Sequence, residues 1–199
     1  MSFKPYSQYG EDTILKDILG ESGYFLEIGA FHPFVFSNTR FLVERGWGGC
    51  YVDGSPSATS RFVEEYAEND NITIVNCLVG SVNTLTSFYD SLGDGISSID
   101  EKHIIPWKSS GSKFKKIHSS MIDMDTLCGV LPSNVDFINI DVEGQSASLA
   151  TLIDYRKLNT KVVCIEHDNM VPFLRDHFKH IGFTQHYVNS CNVNVIFTR

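Results

Sequence analysis

Tyr24-Phe-Leu-Glu-Ile-Gly29 is a short run of strand-forming residues cut off by a glycine. Nearly continuous apolar and aromatic positions suit a strand buried on both faces of a parallel sheet, whereas a half-wet strand would alternate. The pattern returns in Gly49-Cys-Tyr-Val-Asp53, in residues 72–75 and 162–165, and in residues 135–140 ahead of Asp141-Val-Glu-Gly144. Helical periodicity fills the intervals. Ile14, Leu15, Ile18 and Leu19 make one apolar face from a Ser7 N-cap to Gly20, and residues 38–45 form a short helix closed by Gly46. A helix from Ser57 buries Phe62, Val63, Tyr66 and Ala67, and further helices are expected near 123–131, 146–153 and 171–181. Residues 184–188 and 193–198, separated by 189–192, read as an antiparallel hairpin.

The alternation lapses after residue 80. Residues 85–89 and 116–122 look like strand pieces, and 91–112 between them is a Gly-, Ser- and Asp-rich loop around Ile104, Ile105 and Trp107. A loop of that length inside a compact domain is usually functional or mobile. The expectation is therefore an α/β chain with a mostly parallel, Rossmann-like sheet, helices on both faces and a C-terminal antiparallel hairpin. One domain spans residues 1–199, with a flexible lid or acceptor loop at about 91–118.

Composition limits the function classes. Sixteen Lys and Arg against 24 Asp and Glu give a net charge of −8, so attraction to a phosphate backbone is not the mode of action and nucleic acid is not an expected partner. A hydrophobic share of 42% with 20% charged residues describes an ordinary globular chain of 199 residues, able to hide roughly 70% of its unfolded surface. No apolar run nears the ~20 residues of a membrane helix, and residues 1–10 lack a charged segment followed by an apolar one. The five cysteines, at 50, 77, 128, 164 and 191, are odd in number and widely spaced, which argues against a disulfide framework or a zinc knuckle. No membrane partner and a cytoplasmic location are expected.

In a parallel sheet, ligands bind outside the carboxyl ends of the strands, where the strand order reverses. Those ends are positions 27–33, 53–56, 76–80, 141–144 and 166–169, and polar residues fall at nearly all of them. Asp53 follows Gly29 by 24 positions, a spacing that lets an acid reach a ribose diol. Yet Gly29-Ala-Phe-His-Pro-Phe34 offers no second glycine, and Phe31, Pro33 and Phe34 obstruct the close backbone approach that a diphosphate needs. An adenosine carried without phosphates fits better, and S-adenosylmethionine is the expected cofactor. Five acids, Glu27, Asp141, Glu143, Glu166 and Asp168, converge on the same edge. They can anchor an ammonium or take a proton from an attacking hydroxyl. Alternatively Asp141, Glu166 and His167 form an O/O/N set for a divalent cation such as Mg or Mn.

Ser7-Gln-Tyr-Gly-Glu-Asp12, Phe25-Leu-Glu-Ile-Gly-Ala30 with Ser37-Asn-Thr39, Gly49-Cys-Tyr-Val-Asp53, Asp136-Phe-Ile-Asn-Ile-Asp-Val-Glu-Gly144 and Ile165-Glu-His167 occur in that order. Together they resemble the FkbM-type family of S-adenosylmethionine-dependent methyltransferases, from about residue 6 to 198. The resemblance implies a class I methyltransferase fold and methylation of a hydroxyl on a sugar, a glycan or a small metabolite. It implies that Glu27 and residues 29–31 line the methionine side, that Asp53 takes the ribose, and that Cys77, Leu78 and Val79 flank the adenine. Gln8, Asp12, Asp141, Glu143 and Glu166 would surround the transferring methyl. With His32, Gly54 and Ser55 at strand ends and Asn38 and Thr39 of the Ser37-Asn-Thr39 element, the expected cofactor set is Gln8, Glu27, Gly29, Ala30, Phe31, His32, Asn38, Thr39, Asp53, Gly54, Ser55, Cys77, Leu78, Val79 and Asp141. The expected catalytic set is Asp141, Glu143, Glu166 and His167.

Three positions depart from the family pattern: Asn139 stands where a lysine is usual, His32-Pro33 replaces a small pair, and Asp53-Gly54 replaces Glu-Pro. Two other readings stay open, a protein that holds the cofactor without turnover and a nicotinamide-dependent oxidoreductase. Lys108, Lys113, Lys115 and Lys116 with His118 read as a solvated flap or, more sharply, as a lid attracting an anionic acceptor. His177 and His180 read as a solvated helix face, and Trp107 as a sugar-stacking ring or a pin holding the flap to the core.

Overall fold

The structure, a computed structural model, describes residues 4–189, 191 and 193–199. Seven strands form one sheet: β1 (Tyr24–Ile28), β2 (Gly48–Asp53), β3 (Ile72–Asn76), β7 (Phe137–Ile140), β8 (Val162–Glu166), β9 (Thr184–Val188) and β10 (Asn194–Thr198). Their order is β3-β2-β1-β7-β8-β10-β9. The first five pair in parallel, and β10 runs antiparallel to both β8 and β9. The mostly parallel sheet and terminal hairpin therefore agree with the sequence reading; Ser190 and Asn192 of the expected turn lie outside the described residues.

Pleating divides the core. Leu26 and Ile28 of β1, with Val52, Ile138 and Ile140, face the layer built from α5 (Met124–Cys128), α6 (Ser146–Ala150) and α7 (Val171–His180). Phe25, Tyr51, Phe137 and Ile196 face α1 (Glu11–Ile18), α2 (Arg40–Glu44) and α3 (Pro56–Glu65). Side chains alternate along a strand, so Glu27 points with Phe25 toward the second layer. It is a buried carboxylate among aromatic rings. Gly49 lies opposite Phe25 in register, and a Cβ there would come within 2.1 Å of the Phe25 ring.

Val63 and Ala67, expected on the buried face of the helix from Ser57, are exposed, and three further expectations are corrected. Ser7 is not the N-cap of α1; Gly10 is, at φ 88, while the Ser7 hydroxyl accepts from the Gly10 and Asp12 amides in the turn before it. Residues 78–123 form a second, three-stranded sheet, in which β6 (Lys115–Asp123) pairs in parallel with β4 (Leu78–Gly80) and antiparallel with β5 (Thr84–Asp90). The expected loop contains α4 (Glu101–Ser109), started by the Asp100 carboxylate, which accepts from the Lys102 amide. Ile104 alone of its residues is buried and Pro106 lies inside it, so no apolar stripe announces the helix. Among the described residues no helix is long and apolar enough to cross a membrane.

Candidate functional site

The strand order reverses between β1 and β7, where their carboxyl ends nearly touch. The Asp141 amide donates to the Ile28 carbonyl at 2.9 Å, and a Cβ on Gly29 would fall 1.6 Å from the Asp141 carbonyl oxygen. With φ at +89, position 29 accepts only glycine without strain. Two cavities meet over this junction, sharing Gly29, Phe31, Asp94, Gly95, Asp141 and Glu143 as walls.

The first encloses about 710 Å³, its open mouth included. Asp53 stands at one side, where β2 ends. Its Oδ1 accepts from the Ser55 amide at 2.6 Å, and burial pushes its carboxyl up to about 7. Ser55 in turn caps α3 and donates to Asp90 at 2.9 Å. Cys77, Leu78, Val79, Phe88, Met121 and Leu149 make an apolar slot beyond. A Cβ on Gly54 would lie 2.4 Å from Leu78, so the glycine after Asp53 lets the second sheet close on this slot.

The second cavity, about 1360 Å³ with its open mouth, is lined by Gln8, Tyr9, Glu11, Glu27, His32, Phe36, Asn38, Trp107, Asn139 and Glu166 as well as the shared walls. Thr39 donates to Glu27 at 2.5 Å, and hydrogen bonding from Thr39 and Asn139 lowers the Glu27 pKa. Those neutral donors do not cancel the cost of burial, which pushes Glu27 up to about 7. Asn139 accepts from Asn38 Nδ2 at 3.1 Å, so the residue in the expected lysine position joins the strand-end acid to the loop after β1.

At the junction itself Asp141 and Glu166 are coupled. Burial first, then the Glu166 and Glu143 charges, hold Asp141 well above the usual carboxylate range. Burial and the Glu143 charge push Glu166 up to about 7. Asp141 Oδ1 is buried with no hydrogen-bond partner. Glu143, at φ 51, meets His103 of α4, with Nε2 to Oε2 at 2.8 Å, and that bond raises the histidine pKa. The Ser98 hydroxyl donates to the Glu143 carbonyl at 2.8 Å. The loop that follows β5 is thus tied to the junction.

No family model matches the chain, and no curated protein matches it.

Of the expected cofactor set, all but Ala30 and Thr39 line one cavity or both. Ala30 packs in the core, and Thr39 stands behind Glu27. Among the expected catalytic residues, Asp141, Glu143 and Glu166 are walls, but His167 is not. Its Nδ1 accepts from the Asn169 amide at 3.0 Å inside the turn after β8, which leaves its Nε2 buried and without a partner. Asp141, Glu166 and His167 are not brought together as a ligand set, and among the described residues no group of three or more His, Cys, Asp or Glu is arranged to hold a metal ion. Asp12 is also displaced from its expected place: the Tyr6 and Ser7 amides and the Ser7 hydroxyl occupy its carboxylate. Its neighbour Glu11 reaches the second cavity instead, accepting from Asn189 and Asn194 at 2.7 Å each.

The sequence reading missed Ser97, Ser98, Ile99, Phe88 and Met121, all walls of the first cavity. The Ser-rich loop was a signal for the first three; nothing in the strand pattern marked the other two. The lysines at 108, 113, 115 and 116 line neither cavity. Lys108 and Lys116 lie over the Tyr89 ring, at 5.2 and 5.7 Å from its centroid.

Proposed function

We propose that the chain is an S-adenosylmethionine-dependent O-methyltransferase. The carrying observation is the charge of the walls. Among the described residues, seven carboxyl groups, those of Glu11, Glu27, Asp53, Asp94, Asp141, Glu143 and Glu166, line the paired cavities, and no Lys or Arg does. Such walls repel a diphosphate and attract a ligand carrying positive charge. Ten residues separate Gly29 from α2, so the turn after β1 does not run directly into a helix N-terminus that could hold a phosphate, which counts against a nicotinamide cofactor. The parallel sheet with its terminal hairpin has the outline that the family resemblance implies.

The residues fit the cofactor. Asp53 keeps a carboxylate oxygen for the ribose diol, the apolar slot at Cys77, Leu78 and Val79 suits a flat adenine, and the unpartnered Asp141 Oδ1 accepts from an ammonium. When bound, S-adenosylmethionine supplies an electrophilic methyl on a positively charged sulfur. Asp141, Glu143 and Glu166 lie where that charge and the incoming hydroxyl meet. Glu166, held near 7, is poised to accept the hydroxyl proton at neutral pH. Phe31 and the loop at Asp94 and Gly95 wall off both sides of the junction, and most of the acceleration comes from holding two reactants in line. All five cysteines are free, which suits the cytoplasmic location expected from the sequence.

Calorimetry with S-adenosylhomocysteine tests the reading. Micromolar binding at one site per chain is expected, and transfer of labelled methyl to a hydroxyl compound would establish turnover. An absence of heat, together with no change in melting temperature, would end the proposal.

A further inference from the structure

Asn38 is 8% exposed and lines the second cavity but not the first. Asn38 Nδ2 donates to the Asn139 side-chain oxygen at 3.1 Å. That leaves Asn38 Oδ1 buried without a partner, a hydrogen-bond acceptor on a residue that lines the second cavity. A buried acceptor left unmatched is costly, and a donor in the cavity removes the cost.

The surroundings say what kind of donor. Among the described residues, six carboxyl groups border this cavity and no Lys or Arg does. Two of its aromatic walls, Phe36 and Trp107, are 54% and 42% exposed. Phe36 holds φ at 59, a strained conformation for an aromatic residue. Exposed rings beside carboxylates favour an organic cation, which gains from the ring faces and from the acids together. Asp141 Oδ1, at the junction, is the unpartnered acceptor within reach of both cavities; Asn38 Oδ1 belongs to the second alone.

We propose that the second cavity takes a hydroxyl-bearing organic ammonium, of which an amino sugar with a free amine is the representative. That this molecule accepts a methyl rests on the function proposed above; that the cavity selects an ammonium rests on its walls. The lysine-rich flap then has no part in recruiting an anionic acceptor, in keeping with its lysines lying outside both cavities.

The test is calorimetry at pH 7 on the full chain with D-glucosamine, D-glucose, N-acetyl-D-glucosamine and D-glucuronic acid, each with and without S-adenosylhomocysteine. These four share one ring configuration and differ in charge. Glucosamine should bind at least about tenfold more tightly than the neutral pair, the worth of one charge-assisted hydrogen bond, and glucuronic acid should not bind. Trp107→Ala, a change at an exposed position, should weaken glucosamine about fivefold. Equal binding of the N-acetyl form, tighter binding of glucuronic acid, no binding by any of the four, or an unchanged Trp107→Ala variant would each overturn the inference. Glucosamine binding in a protein that ignores S-adenosylhomocysteine would sink methyl transfer and leave the ammonium cavity standing. The reverse pattern would sink the inference alone.

Discussion

The two cavities share six walls and differ in everything else. Beyond those walls the first is an apolar slot with Asp53 at its side, and the second is a wider basin of acids and exposed aromatic rings. A slot selects by shape and a basin by charge, so one junction can present two different molecules to each other. The contrast depends on the β1 and β7 ends lying in contact at Gly29. Replacing Gly29 with Ala should therefore have the largest effect of any single change. The added Cβ would sit 1.6 Å from a backbone oxygen at a residue with φ +89. A loss of about 4 kcal/mol or more is expected in urea unfolding, with both cavities lost together. If the variant kept wild-type stability, the tight junction would be wrong.

Asp53 separates the cavities next. It lines the first and not the second. Asp53→Ala should weaken S-adenosylhomocysteine about 100-fold in calorimetry, near the 2.7 kcal/mol that a charge-assisted pair of hydrogen bonds supplies, and leave glucosamine binding as it was. A variant with undiminished cofactor affinity would remove the ribose assignment.

The same contrast explains what could be read in advance. β1, β2, β7 and β8 carry nearly continuous apolar runs because both faces of the sheet are covered, and the acids at their ends stood out against those runs. The side of the first cavity formed by the second sheet left no such trace. β5 and β6 alternate irregularly, β4 has three residues, and α4 buries a single side chain. Met121 and Phe88 reach the slot through strand pairing distant in sequence, and that pairing is a tertiary fact. His167 misled for a related reason. A histidine after two strand-end acids resembles a metal ligand, but its ring nitrogen caps its own turn, a bond between residues two apart. The Asn139 departure answers to Asn38, whose Nδ2 donates to the Asn139 oxygen from a position 101 residues away in the chain.

Glu27 gives a sharper reading of the second cavity. Its carboxyl is pushed up to about 7 in the folded protein, above the ordinary glutamate value, so the folded state holds the proton more tightly than the unfolded chain. The stability this group contributes is full below the unfolded value and is lost as pH rises from about 4.5 to about 7. Relative to Glu27→Gln, the ligand-free wild type should lose about 3 kcal/mol across that window in urea unfolding and change little above it. A bound cation favours the ionised form, so saturating glucosamine should flatten the difference. A pH-independent difference between the two proteins would show that Glu27 is not held protonated by burial.

The smallest expected effect concerns the loop that closes both cavities. His103 reaches Glu143 from α4, and the bond to that carboxylate, with the charges of Glu143, Glu166 and Asp168, raises the histidine pKa against its partial desolvation. A raised histidine contributes its stabilisation below its unfolded value, about 6.5, and loses it as pH climbs through the higher folded value. The pair is partly exposed, at 24% and 20% of the two side chains, so screening keeps the effect below about 1 kcal/mol. Hydrogen exchange in residues 101–109 should accordingly quicken by about two- to threefold above neutral pH, beyond the intrinsic rise in exchange rate, while the parallel strands hold their protection. His103→Gln, which keeps a donor but does not titrate, should abolish the extra acceleration. If the variant and the wild type showed the same pH dependence, the loop would be held by the Ser98 bond to the Glu143 carbonyl and by Arg61, whose guanidinium donates to the Gly93 carbonyl at 2.9 Å.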